Sequence, residues 1–231
     1  MELNKDAALL KAVREEVAGA FVTDSATGAR TLDVQKAVAL PLLQSLFTEI
    51  LRLRVSMVIM RVVEEPMSIG GVNIAKGSLI HAYSGVAHID EDTWGAPEHP
   101  ADQFWAERHI KYVEERDQTG QLHRRREFAM AASPACFFPF GTLPPFSSTK
   151  GSSLIRLTGG GVPICPGRQF AKNEVFTMLG ILVDRFDMEF VRWTNFDGSP
   201  SDRPAESDQR FSGIGSLPPD RDMTVRWKRT W

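Results

Sequence analysis

The stretch "TGGGVPICPGRQFAKNEVF", residues 158–176, decides how the rest of the chain is read. Three glycines lead to Cys165, which is wedged between Ile164 and Pro166, and from Gly167 onward the pattern turns helical. A cysteine just ahead of a helix has a physical use. The unpaired amides and the positive end of the helix dipole favour a thiolate there, and such a sulfur serves as a nucleophile or a metal ligand. Glycines around it permit tight turns and let a flat ligand approach backbone that a side chain would block. Gly161, Cys165 and Gly167 therefore describe a loop suited to a large planar partner. Taken alone, Cys165 reads equally well as a small buried hydrophobe.

Downstream of the cysteine, Phe170, Val175, Met178, Leu179, Leu182 and Val183 recur at helical spacing over residues 169–186, predicting one apolar face. Two strand-like runs follow, residues 187–193 and 223–227, separated by a polar Gly/Pro/Ser loop. Upstream, Ala8, Leu9, Ala12, Val13, Val17 and Phe21 mark a surface helix that ends in a loop over residues 23–31. A second helix starts at Pro41, a good first-turn residue, buries Leu42, Leu43, Leu46, Phe47, Ile50 and Leu51, and runs to about Arg54. Short β-rich runs at 58–63 and 78–83, with Gly70-Gly71 and Lys76-Gly77 turn signals between them, predict a small antiparallel sheet. Residues 104–158 show no period and read as irregular chain, including the basic run 123–126 as a solvated loop.

Composition narrows the function classes. The chain has 231 residues, 42% of them hydrophobic, enough for a real core. A net charge of -2 gives no nucleic-acid footprint. Two cysteines, Cys136 and Cys165, build neither a four-thiolate zinc site nor a disulfide framework, so a reducing compartment is the default. No apolar run approaches the ~18 residues that span a bilayer, and the first twenty residues lack a signal-peptide core.

"CPGRQFAKNE" resembles the heme-thiolate loop of the cytochrome P-450 family, Phe-Gly-x-Gly-x-Arg-x-Cys-x-Gly followed by a helix, with Gly161, Cys165 and Gly167 at the matching offsets. Three more segments match in order. In "FTEILRLR", Glu49 and Arg52 form the Glu-x-x-Arg of helix K, and "FWAERH" is similar to Phe-x-Pro-Glu-Arg-Phe and supplies Arg108. Between them, "MRVVEEPMSIGGVNIAKGSLI" resembles the family's first sheet and "AHIDEDTWGAPE" the helix and turn after it. One Glu-x-x-Arg means little, since ion pairs three apart are common on helices. Four ordered matches over residues 49–190 mean much more.

The resemblance implies a mixed α+β fold, mainly α: the carboxy-terminal part of the cytochrome P-450 fold, with helices J, K and L, a small antiparallel sheet and an irregular meander, in one truncated domain over residues 1–231. It implies a buried network of Glu49, Arg52 and Arg108 that pins the irregular segment. It also implies a heme whose iron takes Cys165 as axial ligand, with Arg61 on a propionate. The implied activity inserts one oxygen atom from O2 into a small apolar organic substrate, with an NADPH-dependent reductase as electron donor. A non-catalytic remnant and a heme-thiolate isomerase or lyase are the alternatives. Residues 55–60 read either as facing substrate or as sheet core. "GGGVPICPGR" is similar to the sterol- and eicosanoid-modifying branch and its filamentous-fungal relatives.

Departures from the family pattern qualify this reading. Thr158 stands for the signature phenylalanine and Pro163 for its arginine, while Ala106 and His109 replace proline and phenylalanine in the "FWAERH" segment. "FFPFG", ending at Gly141, already looks like the signature's lead-in, and removing residues 142–159 yields "FPFGGGVPICPGR". That stretch is therefore expected to be an insertion or a retained intron. The family's oxygen-activating helix I and membrane anchor have no counterpart in this sequence, so the polypeptide alone is expected to show little or no monooxygenase activity.

Overall fold

A computed structural model describes residues 2–116, 120–132, 136–140 and 165–230. Helix α1 (Glu2–Lys5) leads into α2 (Ala7–Ala18), which starts where Asp6 accepts the Leu9 N–H. A hairpin of β1 (Phe21–Thr23) and β2 (Arg30–Leu32) and the short α3 (Val34–Ala37) connect it to α4 (Pro41–Arg54). Leu40, at the N-cap of α4, has no side chain to offer the orphan amides. Glu16 on α2 does the work from outside, accepting Leu42 N–H at 2.9 Å and Leu43 N–H at 3.0 Å. The α2–α4 pair is thus set by a carboxylate at a helix N-terminus as well as by apolar contact.

The chain leaves α4 directly as β3 (Val55–Val62), then forms a two-stranded ribbon of β4 (Met67–Ile69) and β5 (Val72–Ile74) and returns as β6 (Leu79–Tyr83). Strand β3 is central in an antiparallel sheet, with β6 on one side in the register Val58↔Tyr83 to Val62↔Leu79. Its other neighbour comes from far downstream. Short helices α5 (Ser84–Ala87) and α6 (Glu91–Trp94) follow, and then β7 (Ile110–Arg116) and β8 (Leu122–Phe128) pair antiparallel. Past the cysteine, α7 (Arg168–Arg185) runs into β9 (Phe186–Thr194), which pairs with β10 (Pro200–Ser201) and β12 (Asp222–Arg229), while β11 (Ile214–Ser216) closes onto β3.

The expectation of a mainly helical fold is wrong: among the described residues helix and strand contents are about equal, 32% and 33%. The hairpin β7–β8 is the main reason, since it lies inside the segment read as irregular and turns the basic run His123 to Arg126 into strand. Cross-strand pairing stabilises it where no hydrophobic alternation announces it. Arg125 reaches Glu115 at 2.8 Å, and the Arg124 guanidinium lies 3.8 Å from the Tyr112 ring centroid.

The core joins Val13 and Val17 of α2, Leu42, Leu43 and Leu46 of α4, and Phe176 and Val183 of α7. Phe47 meets Phe176 edge-on at 5.3 Å. The apolar positions of α7 do not form one buried face. Phe176, Gly180 and Val183 turn inward, whereas Phe170, Val175, Met178 and Leu182 are exposed. Gly180 lets α7 approach its neighbours closely, because a Cβ there would stand 3.0 Å from a Leu32 methyl and 3.6 Å from Val17. Gly180→Leu is accordingly expected to lose roughly 1–3 kcal/mol by overpacking, measured as a lower urea midpoint. Gly180→Ala should stay close to the parent, because helix propensity offsets the contact.

Candidate functional site

Glu49 and Arg52 lie three residues apart on α4 and so share a face. Arg52 grips Glu49 with two parallel hydrogen bonds, Nε to Oε2 and Nη2 to Oε1, both 2.8 Å. Arg108, after the α6 turn, donates from Nε to Glu49 Oε1 at 2.9 Å, and Trp105 N–H donates to the same oxygen at 3.2 Å. All three charged side chains are essentially inaccessible: residue exposures are 0% for Glu49, 1% for Arg52 and 5% for Arg108. The structure therefore brings Glu49, Arg52 and Arg108 into one buried cluster.

The remaining guanidinium donors explain why an irregular segment packs there at all. Arg52 Nη1 donates to the carbonyls of His88 and Ala101, and Arg108 donates to those of Trp94, Pro100 and Gln103. Residues 95–109 have little ladder to satisfy their backbone, and two arginines supply the missing donors. Burial by itself would raise the Glu49 carboxyl. The hydrogen bonds and charge of Arg52, with His109 nearby and the hydrogen bond from Arg108, outweigh it and hold the group at about 2.

Two buried histidines complete the cluster, and sequence reasoning missed both. His109 Nε2 stands 3.5 Å from Glu49 Oε2, while His88 Nδ1 is 3.1 Å from the Arg52 carbonyl oxygen. Burial, with the Arg52 charge nearby, pushes His88 down to about 4. In the sequence, His109 is only a substitution for an aromatic, and His88 lies in "AHIDEDTW" with nothing to mark it. Polar residues destined for burial carry no periodic signature.

Cys165 is exposed and unbridged, immediately before α7, with its N–H donating to Phe140 O at 3.2 Å. Gly167 is the N-cap of α7, and a Cβ there would stand in ordinary van der Waals contact with the Cys165 sulfur, at 3.8 Å. Arg61 is on β3, half-buried, donating to Met60 O at 2.8 Å. Among the described residues it makes no hydrogen bond or ion pair with Cys165 or with the buried cluster. Residues 55–60 divide their roles, Ser56 and Ile59 being buried and Met60 exposed. Gly161, Thr158, Pro163, Gly141 and the expected insertion 142–159 lie outside the described residues.

A heme requires one strong axial donor on an accessible surface, since the macrocycle itself provides the equatorial ligands. Cys165 suits that demand. Among the described residues no group of three or more His, Cys, Asp or Glu side chains could hold a bare metal ion.

Comparison with known proteins gives the family. Residues 1–128 match the profile of the cytochrome P-450 family. The cytochrome P-450 monooxygenase calL of Penicillium decumbens is 46% identical over 231 residues, covering 100% of this chain and 38% of that protein. The cytochrome P-450 monooxygenase fsoE of Humicola fuscoatra is 29% identical, covering 99% of this chain and 38% of its own length. Cholesterol 7-alpha-monooxygenase of Cricetulus griseus is 26% identical, covering 95% and 38%. The chain spans somewhat more than a third of the length of these relatives. With more than half of its residues inside the family profile, the chain belongs to the cytochrome P-450 family.

Proposed function

We propose that the chain is the heme-ligating part of a monooxygenase that inserts one oxygen atom from O2 into a small apolar organic molecule, Cys165 being the axial ligand of the heme iron. The observation that carries this is the exposed, unbridged Cys165 at the head of an 18-residue helix in a cytochrome P-450 chain. When bound, the heme supplies the oxygen chemistry, with electrons from an NADPH-dependent reductase. The chain's own residues do the holding. Cys165 ligates through its thiolate, and its N–H holds its backbone on Phe140. Arg61, which meets no carboxylate among the described residues, is free to take a propionate by a bidentate contact.

Heme titration tests the proposal. The chain is expected to take up heme with a thiolate-ligated absorption spectrum, retained in Cys136→Ala and lost in Cys165→Ala. Binding without that signature, or an unchanged spectrum in Cys165→Ala, removes Cys165 from the role and favours a non-catalytic remnant.

A further inference from the structure

Charge pairing accounts for Glu49, Arg52 and Arg108, yet it leaves unexplained why two fully buried imidazoles stand beside them. His88 and His109 are each 0% exposed, and each also touches the segment leading toward Cys165. Phe138 N–H donates to His88 Nε2 at 3.1 Å. Ala131 N–H donates to His109 Nδ1 at 3.2 Å. A ring nitrogen that accepts an amide hydrogen carries no proton, so the other nitrogen of a neutral ring must. His88 therefore bears its hydrogen on Nδ1, aimed at Arg52 O, and His109 on Nε2, aimed at Glu49 Oε2. The His109 Nε2 contact is long and makes no full hydrogen bond, which leaves Glu49 as the polar group it faces.

We propose that His88 and His109 are positioning residues, a pair of neutral imidazoles of opposite tautomer that suspend residues 129–132 and 136–140, and through Phe140 the backbone of Cys165, from the Glu49–Arg52 pair on α4. The Arg52 branch reaches the Cys165 backbone, and the Glu49 branch holds Ala131. From Arg52 it passes through His88 to Phe138 and, two residues on, to Phe140 O, which accepts the Cys165 N–H. From Glu49 it passes through His109 to Ala131, where Ala129 N–H also donates to His109 O at 2.8 Å. Aromatic rings fix both imidazoles: Phe137 and Phe138 lie 5.4 and 5.3 Å from His88, and Trp94 and Phe128 lie 5.9 and 6.2 Å from His109. A phenylalanine at 109 would fill the space but leave the Ala131 amide without an acceptor and Glu49 Oε2 without this donor. The clamp stands on geometry alone, and only its bearing on a heme ligand rests on the function proposed above.

Ring-nitrogen NMR of the heme-free chain, labelled with nitrogen-15 at its five histidines, reads the tautomers without any substitution. The expected result is one ring fixed with a bare Nε2, assigned to His88, and one fixed with a bare Nδ1, assigned to His109. Rapid exchange between tautomers at either ring, or the same tautomer in both, overturns the proposal. Amide exchange then tests the suspension itself. His88→Leu should speed exchange at Phe138, and His109→Phe at Ala131, by roughly tenfold to a hundredfold, as one buried acceptor is removed. His88→Gln and His109→Asn return an acceptor near the lost nitrogen and should restore protection, which a role in packing alone would not require. Unchanged exchange in the Leu and Phe variants also overturns it. Failed heme titration with fixed tautomers would sink the heme reading and leave the clamp standing, and mixed tautomers with successful titration would do the reverse.

Discussion

Glu49→Ala is expected to cost about 3–5 kcal/mol of folding stability, because it strands two buried guanidiniums that have lost their shared counterion. Domains are stable by only about 5–15 kcal/mol, so this one change should bring the chain to the edge of unfolding at ordinary temperature. The estimate depends on burial. Arg226 and Glu189 make an equally short contact, 2.9 Å, but with side chains 67% and 66% exposed, and Arg226→Ala should cost no more than about 1 kcal/mol. Arg52→Lys should resemble Glu49→Ala more than Arg226→Ala, although it keeps the charge. A single ammonium cannot reproduce two contacts to Glu49 together with those to the His88 and Ala101 carbonyls. Urea unfolding followed by tryptophan fluorescence measures all three, Trp94 lying against the Arg52 guanidinium at 5.4 Å. Coincident midpoints for Glu49→Ala and Arg226→Ala would mean that the cluster is solvated in solution.

The same cluster shows which parts of this protein its sequence discloses. Helix α4 is legible because Pro41 opens it and its leucines recur with helical period, and α7 because a glycine-rich loop stops where periodicity begins. Strands β3, β6, β9 and β12 are legible from β-branched and aromatic runs between turn residues. The β7–β8 hairpin is not, since its strands are dominated by Glu and Arg and their stabilisation comes from partners across the ladder rather than from neighbours in sequence. The outward turn of Val175, Met178 and Leu182 is hidden for a related reason. Hydrophobicity marks positions that want cover, and α7 has more of them than the described residues of this chain bury. Glu49, Arg52 and Arg108 are named by motif order alone. His88 and His109 have no such order, and only three-dimensional contact gives them a role.

Acid should weaken the fold in two separable steps, the first of them well above the usual carboxylate range. His88 titrates near 6.5 when unfolded and is held at about 4 in the folded chain, so between those values the unfolded chain takes up a proton that the folded chain refuses. Its contribution is therefore complete above pH 6.5 and lost progressively down to pH 4, amounting to roughly 3 kcal/mol at about 1.4 kcal/mol per unit. Glu49 acts in the next window, from its unfolded value of 4.5 to about 2 when folded, where protonation removes the counterion of Arg52 and Arg108. Glu16 opposes the first step only, since burial raises its carboxyl and the folded chain takes up that proton before the unfolded chain does, which adds stability as the pH falls toward 4.5. The His88 step can be isolated because His88→Gln does not titrate and can still accept the Phe138 amide. Urea midpoints taken at intervals from pH 7 to pH 3 should fall throughout for the parent chain, and for His88→Gln should hold level or rise until about pH 4.5 before falling. A parent chain whose midpoint runs parallel to that of His88→Gln between pH 6.5 and 4.5 would show that His88 accepts its proton in the folded state, and hence that Phe138 does not depend on a neutral imidazole.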